Sequence, residues 1–170
     1  MKKMFPKAQI VIAGDPSEEK EYCRAHSINH GVSKAKQNKL IIMDSDIYLD
    51  KEPIVKALEM LDEHQFVLPF GLIKDITPVI SKRLLDGQTV DYETLFWNTY
   101  MDRDIRECQC AGGMQIITKE LFNKIGGYDE RFIGWGYEDT AFCFKVRKEL
   151  GNYPILEDTV GFHLYHERNN

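Results

Sequence analysis

The sequence predicts a single α/β domain, and two patterns in the chain carry that prediction. Short apolar runs of strand length alternate with segments in which apolar residues recur at helical spacing. No internal repeat or low-complexity tract divides the 170 residues, which are enough to bury one hydrophobic core. Because 43% of the residues are hydrophobic, the composition also excludes a disordered chain.

Four segments have the composition of strands. The run from 39 to 43 is continuous and apolar, and it ends on an acidic cluster that extends from Asp44 to Asp50. The others are residues 9–14, 66–69 and 110–118. Because open α/β sheets bind ligands at the carboxyl ends of their strands, the acidic cluster is a candidate site.

Helical spacing and terminal residues predict the helices. Pro53 suits a first helical turn, and Gly126 and Gly151 each follow a segment with helical spacing, as is typical of a helix end. The predicted helices cover 32–38, 52–61, 78–85, 92–100, 119–125 and 139–150, and a further helix begins at Ser17.

Net charge and apolar runs limit the classes of partner. The chain carries 27 acidic and 22 basic residues, a net charge of -5, which argues against nonspecific binding of nucleic acid. An anionic ligand must therefore be bound by a metal ion or by a few basic side chains close to it. No apolar run approaches the roughly 18 residues of a membrane span, and no secretory segment follows Met1, so we expect a cytoplasmic protein.

The four cysteines predict neither a disulfide framework nor a zinc site. Cys108 and Cys110 have no second close cysteine pair with which to bind zinc. Their spacing favours one face of a buried strand.

Asp44-Ser45-Asp46 is the first candidate for chemistry. Carboxylates two residues apart in an extended segment point the same way, and such hard oxygen ligands bind Mg²⁺ or Mn²⁺ together with phosphate. An Asp-x-Asp sequence is also common in solvated turns, so the motif alone leaves both interpretations open.

His163 and His166 form the second candidate. Two imidazoles three residues apart can share a metal, and a mixture of His and Asp ligands favours Mn²⁺ over Mg²⁺. The alternative is a pair of surface histidines without a function.

The third candidate is the segment from Trp135 to Asp139. Asp139 alone is explained as a capping residue of the last helix. A cap does not explain the neighbouring glycines and aromatic residues, whereas the flat faces of Trp and Tyr suit a sugar ring and carboxylates suit its hydroxyls.

In this order the three segments resemble the catalytic half of GT-A glycosyltransferases, in particular the β-1,4-galactosyltransferase type and the bacterial chondroitin-polymerase type. From residue 110 onward, AGGMQIITKELFNKIGGYDERFIGWGYEDTAF is similar to the family's Gly-Gly strand, short helix and Trp-Gly-x-Glu-Asp segment. Residues 29–46 are similar to its Asn-x-Gly, helix, strand and Asp-x-Asp block, and residues 70–108 carry no matching motif. The resemblance implies a central mixed sheet flanked by helices.

The resemblance also implies a role for each matching position. Asp46 and His166 would bind the metal, and His163 falls where some members use a further ligand. Asp139 would be the general base that accepts the acceptor's proton. The acceptor would be bound by Glu138, Trp135 and Tyr137, and Trp135 would belong to a loop that closes over the donor. The donor would be bound by Asp44, Gly112, Gly113, Asn29 and Lys34.

The implied reaction is an inverting transfer of a sugar from a UDP-sugar donor to a carbohydrate hydroxyl, with Mn²⁺ or Mg²⁺ as cofactor and a galactosyl or N-acetylgalactosaminyl group as the sugar. Residues 1–170 would form one domain, with 9–70 on the nucleotide and metal side and 108–170 on the acceptor side. Members of the group begin with an additional strand and helix, which this chain is expected to lack. Either a partner or a second copy would then supply that nucleotide-binding element, or the chain would bind the donor weakly, or it would be a truncated relic.

Two alternatives remain open from the sequence. A carbohydrate- or nucleotide-binding subunit of the same fold would keep the residues and have little or no activity. A haloacid-dehalogenase-type phosphatase would use Asp44 as a nucleophile and would not use His166.

Overall fold

The computed structural model describes residues 1–15, 22–108, 112–134 and 136–167, and the fold is built from these ranges. The helices are α1 (Arg24–Lys34), α2 (Lys51–Met60), α3 (Pro78–Leu85), α4 (Tyr92–Trp97), α5 (Ile105–Cys108), α6 (Lys119–Lys124) and α7 (Glu138–Leu150). The strands are β1 (Lys39–Met43), β2 (Ile47–Tyr48), β3 (Phe66–Val67), β4 (Leu72–Ile76), β5 (Thr99–Asp104), β6 (Met114–Thr118) and β7 (Val160–His163).

The strands form two sheets that meet at the acidic cluster. The first has the order β1-β6-β3 and is antiparallel throughout. The second has the order β2-β7-β4-β5, in which β7 runs parallel to β4 and antiparallel to β2. Since β1 and β2 are joined only by residues 44–46, the Asp-x-Asp segment lies where the chain passes from one sheet to the other.

Helix α7, which carries the predicted base Asp139, packs in the core against the first sheet. Every residue of β6 is buried, and the ring of Tyr128 stacks on Phe142 of α7 with centroids 4.1 Å apart. Such aromatic pairs add to the stabilisation that comes from area burial. The first turn of α7 is therefore fixed relative to β6.

Most of the strongly periodic elements are confirmed. Strand 39–43 and helix 78–85 have the predicted bounds, and helices 52–61, 119–125 and 139–150 are shifted by at most one residue. The mixed sheet is present as the second sheet, beside a separate antiparallel one.

Three predicted elements are wrong. Residues 9–14 form no strand, and the side chain of Ile12 is 95% exposed. The helix predicted at 32–38 instead ends at Lys34 and begins at Arg24, where the Sγ of Cys23 accepts a hydrogen bond from the backbone N of His26. Cys108 belongs to α5 rather than to a strand, because the chain turns after β5.

Other elements are shorter than predicted. The strand at 66–69 contracts to β3, and the helix at 92–100 ends at Trp97, after which the chain becomes β5. In the described part of the segment at 110–118, the strand begins at Met114. The helix start at Ser17 and the position of Cys110 lie outside the described residues.

None of the helices in the described ranges combines the length and the apolar character needed to cross a bilayer. The cytoplasmic location stays a prediction.

Candidate active site

Asp46, His163 and His166 come together at the end of β7 and form a candidate metal centre. Asp46 Oδ2 lies 3.5 Å from Nε2 of His163 and 3.4 Å from Nε2 of His166. One ligand atom from each residue falls within 4.8 Å of the other two. The backbone keeps this arrangement in place, since Leu164 N donates a hydrogen bond of 2.8 Å to the carbonyl of Asp46.

The surroundings of these side chains fit a divalent cation. Asp46 Oδ1 is buried and has no hydrogen-bond partner among the described residues, so an acceptor oxygen is left for a further ligand. Contact with His163 lowers the pKa of Asp46 below its usual 3.8, and therefore keeps the carboxylate charged. One carboxylate and two imidazoles are a ligand set that suits Mn²⁺.

Arg24 lies at the centre of a second cluster, which contains the other predicted carboxylates. Its Nη2 lies 2.7 Å from Asp44 Oδ1, and its Nη1 lies 2.8 Å from Asp139 Oδ1 and 3.3 Å from Glu138 Oε1. Burial disfavours the charge of Arg24, but the carboxylates of Asp139 and Asp44 outweigh this effect and raise its pKa. One guanidinium thus joins the Asp-x-Asp segment to the first turn of α7.

Asp139 is held by several donors on one oxygen. Besides Arg24, the hydroxyl of Tyr128 lies 2.9 Å from Oδ1, and Gln115 Nε2 lies 3.4 Å from it. Burial raises the pKa of Tyr128 well above 10, so this hydroxyl stays protonated, and its one proton is shared between Asp139 Oδ1 and Gln115 Oε1, which lies 2.8 Å away. The other oxygen, Oδ2, packs so closely on Gly112 that a methyl group there would overlap it.

Two hydrogen bonds join Asp44 and Gly113, and each residue donates one of them. The backbone N of Asp44 donates to the carbonyl of Gly113 at 2.7 Å, and the backbone N of Gly113 donates to Asp44 Oδ2 at 3.1 Å. Gly113 has φ +84°, a conformation that side chains rarely adopt. The Gly-Gly segment therefore lies beside both Asp44 and Asp139.

Comparison with known proteins identifies the architecture. The structure of GalNAc-T7 with UDP, GalNAc and Mn²⁺ superposes with a TM-score of 0.59, covering 88% of this chain and 32% of that one at 16% identity. Staphylococcus aureus TarS, solved with UDP-GlcNAc, gives a TM-score of 0.57, covering 90% of this chain and 42% of that one at 19% identity. By its architecture, this chain has the GT-A fold.

Sequence comparison agrees with the fold. Residues 97–167 of the GT-A domain match the model of a family described as the N-terminal domain of galactosyltransferase. The chondroitin synthase of Escherichia coli is 22% identical over 163 residues, which cover 79% of this chain and 24% of the synthase. The resemblance noted from the motifs is therefore confirmed, while the chain spans about a quarter of this relative's length.

The start of α7 brings part of the predicted acceptor site into the GT-A domain's Arg24 cluster. Glu138 is buried, and its Oε2 accepts a hydrogen bond of 3.1 Å from the backbone N of Gly136. Tyr137 has φ +66°, a strained conformation for a residue with a side chain, and its ring is 80% exposed. Trp135 lies outside the described residues.

Two predicted donor-binding residues lie further from the cluster. Asn29 fixes the loop that carries Tyr128, because its Nδ2 donates to the carbonyl of Tyr128 at 3.0 Å and its Oδ1 accepts from the backbone N at 2.9 Å. Lys34 is exposed at the end of α1. At 1.5 Å per helical residue, it lies about 15 Å along the axis from Arg24.

Sequence reasoning missed Arg24 and Asp75. Asp75 is buried in β4, with its Oδ1 2.7 Å from Nδ1 of His163. The signal for Asp75 was a charged pair, Lys74-Asp75, inside an apolar strand-like run, since charged residues are rarely buried unless they are paired. The contacts of Arg24 with Glu138 and Asp139 join residues more than 100 positions apart, and no local pattern predicts them.

Proposed function

We propose that this chain is a metal-dependent inverting glycosyltransferase that moves a sugar from a UDP-sugar to a carbohydrate hydroxyl. The observation that supports it best is the convergence of two clusters within a GT-A fold: the metal centre at Asp46 and the carboxylates around Arg24. Asp44 belongs to the second cluster and lies two residues from Asp46, so the two clusters are adjacent. Galactosyl and N-acetylgalactosaminyl donors are the first to test, because the family match concerns galactosyltransferase and one comparison structure holds GalNAc.

The metal centre faces the donor in this proposal. A divalent cation held by Asp46, His163 and His166 would offset the charge that develops on the departing diphosphate. Asp44, Gly112 and Gly113 line the donor beside it, and the half of the domain from 9 to 70 carries the nucleotide side. Asn29 acts indirectly, because it fixes the loop that carries Tyr128. Lys34 lies too far along α1 for direct contact in this proposal, and we assign it only a long-range electrostatic contribution to donor binding.

Asp139 is the proposed general base. The acceptor hydroxyl attacks the anomeric carbon of the donor, and the new C–O bond forms while the bond from that carbon to the diphosphate oxygen breaks. The hydroxyl proton passes to Asp139 Oδ2, because the hydrogen bonds from Arg24, Tyr128 and Gln115 all use Oδ1. Attack from the face opposite the leaving group inverts the anomeric carbon.

The acceptor lies against the start of α7 in this proposal. The exposed side chain of Tyr137 offers a face for the acceptor sugar, and Glu138 accepts from its hydroxyls. By the resemblance of the sequence alone, Trp135 is assigned to the same acceptor site. Glu138 is bonded to Arg24 and to Gly136, so its orientation is already set before the acceptor binds.

The test is an Asp139→Asn variant assayed for transfer from a panel of UDP-sugars with Mn²⁺. The amide cannot take the proton, so we expect transfer to fall by about 10² to 10⁴-fold. Arg24 keeps Asp44 and Glu138 as charged partners, so the variant should still fold and bind UDP, with a smaller loss of stability than Arg24→Met causes. Glu149→Gln is the matched control, because it makes the same chemical change at the other end of α7, where Glu149 forms an ion pair with the exposed Lys124. NMR of the product's anomeric proton tests inversion.

Two results would overturn the proposal. Near-normal transfer by Asp139→Asn would remove the assignment of the base. Binding of UDP-sugars by the unmodified chain without any turnover would favour a sugar-nucleotide-binding subunit of the same fold. The comparison structures lend no support to a phosphatase, since both share the GT-A fold.

A further inference from the structure

Asp75 lies beside the candidate metal centre without being one of its predicted ligands. It occupies β4 at the position paired with His163 of the parallel strand β7. Its carboxylate is 3% exposed, and Oδ1 lies 2.7 Å both from Nδ1 of His163 and from Nη2 of Arg103. Its second oxygen is buried without a hydrogen-bond partner among the described residues.

The carboxylate of Asp75 is far less exposed than the acidic partner of an ordinary surface ion pair. The same strands carry a second pair on the opposite face, where Lys74 is buried and the carboxylate of Asp102 is 50% exposed. In the pair formed by Asp75 and Arg103 the acidic partner is the buried one: the carboxylate is buried, whereas the guanidinium is 42% exposed. A carboxylate is costly to bury, so its position inside the sheet next to His163 calls for a use there.

The ring of His163 lies between two carboxylates. Nε2 faces Asp46 and Nδ1 faces Asp75, at an angle outside that of a regular hydrogen bond. His166 is arranged in a similar way, with Nε2 toward Asp46 and Nδ1 3.2 Å from the carbonyl of Glu167. Histidines that bind metals usually donate their other ring N–H to a carboxylate or a carbonyl, which fixes the tautomer.

We propose that Asp75, held by Arg103, is a positioning residue that fixes the tautomer and ring orientation of His163 for binding of a divalent cation. This inference rests on the metal centre of the proposed function. With a cation bound at Nε2, the N–H at Nδ1 would donate to Asp75 Oδ1, which lies 2.7 Å away, and the lone pair of Nε2 would point to the space shared with Asp46 Oδ2. The side chain of His163 is 21% exposed and that of His166 is 52% exposed, so we expect His163 to be the more firmly held of the two imidazoles.

The experiment measures Mn²⁺ binding by calorimetry and Co²⁺ binding by its visible spectrum, in the full chain without nucleotide. Asp75→Asn is expected to weaken Mn²⁺ binding by about 10- to 100-fold and to change the Co²⁺ spectrum. Asp102→Asn is the matched control, since it removes a carboxylate from an ion pair of the same sheet on the face away from His163, and it should bind Mn²⁺ as the unmodified chain does. Asp46→Ala, which removes a ligand, sets the lower limit of the measurement.

A double-mutant cycle separates positioning from a general loss of structure. If Asp75 acts through His163, Asp75→Asn should weaken Mn²⁺ binding little further when His163→Ala is already present. Equal losses in both backgrounds would overturn the proposal, as would a loss in Asp75→Asn no larger than that in Asp102→Asn. Should Asp75→Asn fail to fold, Arg103→Gln must weaken Mn²⁺ binding, and an unchanged affinity in that variant would likewise overturn it.

The two proposals fail in different ways. If the unmodified chain binds neither Mn²⁺ nor Co²⁺, both this inference and the metal part of the proposed function are overturned. If it binds Mn²⁺ and the coupling between Asp75 and His163 is found while no UDP-sugar is turned over, the positioning role is supported and the proposed activity fails.

Discussion

Removal of Arg24 should destabilise the domain more than removal of any surface arginine. The guanidinium contacts three carboxylates, and the side-chain exposures are 16% for Arg24, 8% for Glu138 and 21% for Asp139. Breaking a buried ion pair on one side costs about 3–5 kcal/mol, because the remaining charge is left uncompensated. Since Asp139 and Asp44 keep some contact with water, we expect Arg24→Met to lower the free energy of unfolding by about 2–4 kcal/mol.

Urea unfolding at neutral pH, monitored by circular dichroism, measures this loss. Methionine keeps an apolar stem of similar length, so the change removes mainly the charge and its hydrogen bonds. Arg131→Met is the control, because Arg131 also forms a close ion pair, with Asp129, but is 90% exposed. That variant should unfold at the same urea concentration as the unmodified chain.

A second substitution tests the reason for the loss. Neutralising one of the carboxylates with Asp139→Asn should recover part of the stability that Arg24→Met removes, because less uncompensated charge remains. A loss below about 1 kcal/mol, the size expected for a surface ion pair, would refute the reasoning. Purely additive effects of the two substitutions would refute it as well.

Two further predictions concern stability near the metal centre. The pKa of Asp46 is lowered in the folded state, so the charged carboxylate stabilises the fold above pH 3.8, and this stabilisation is lost as the pH falls through the lower pKa of the folded state. Without metal, the difference in unfolding free energy between the unmodified chain and Asp46→Asn should therefore shrink in acid. Urea unfolding at a series of pH values measures this difference. Gly113→Ala should cost about 1–3 kcal/mol, because φ is +84° and the new Cβ would lie 2.9 Å from Cδ1 of Ile47. Gly87→Ala has a similar φ of +78° in open space, and an equal loss in both variants on thermal unfolding would show that the contact with Ile47 does not matter.

The sequence predicted the elements whose signals are local. Helices α3 and α7 have clear periodicity, and Gly151 marks the end of α7, while β1 is a continuous apolar run next to an acidic turn. The residues of the candidate metal centre were singled out for the same reason, since an Asp-x-Asp and a His-x-x-His are short motifs. The structure brings both motifs together, but their binding of a metal stays a prediction.

The elements that depend on distant partners were missed. The apolar run at 9–14 predicted burial, yet Ile12 is exposed because the described residues provide no strand with which the segment pairs. No change in the pattern of apolar and polar residues marks the boundary between α4 and β5, and β5 is a strand because it pairs with β4. Arg24 owes its position to contacts across the fold, so no window along the sequence could indicate it. For Asp75 the only local signal was its charged pair with Lys74 inside an apolar run, and its contact with His163 comes from the pairing of two distant strands.

The position of β7 in the second sheet has a consequence for how the chain is made. This strand is the last of the described strands in chain order, yet it lies between β2 and β4. Until residues 160–163 have left the ribosome, β2 and β4 have no strand to join them, and each presents unpaired backbone groups to other nascent chains. A chain that ends before β7 would therefore contain every strand of the first sheet but would leave β2 unjoined to the β4-β5 pair, with strand edges open to other chains.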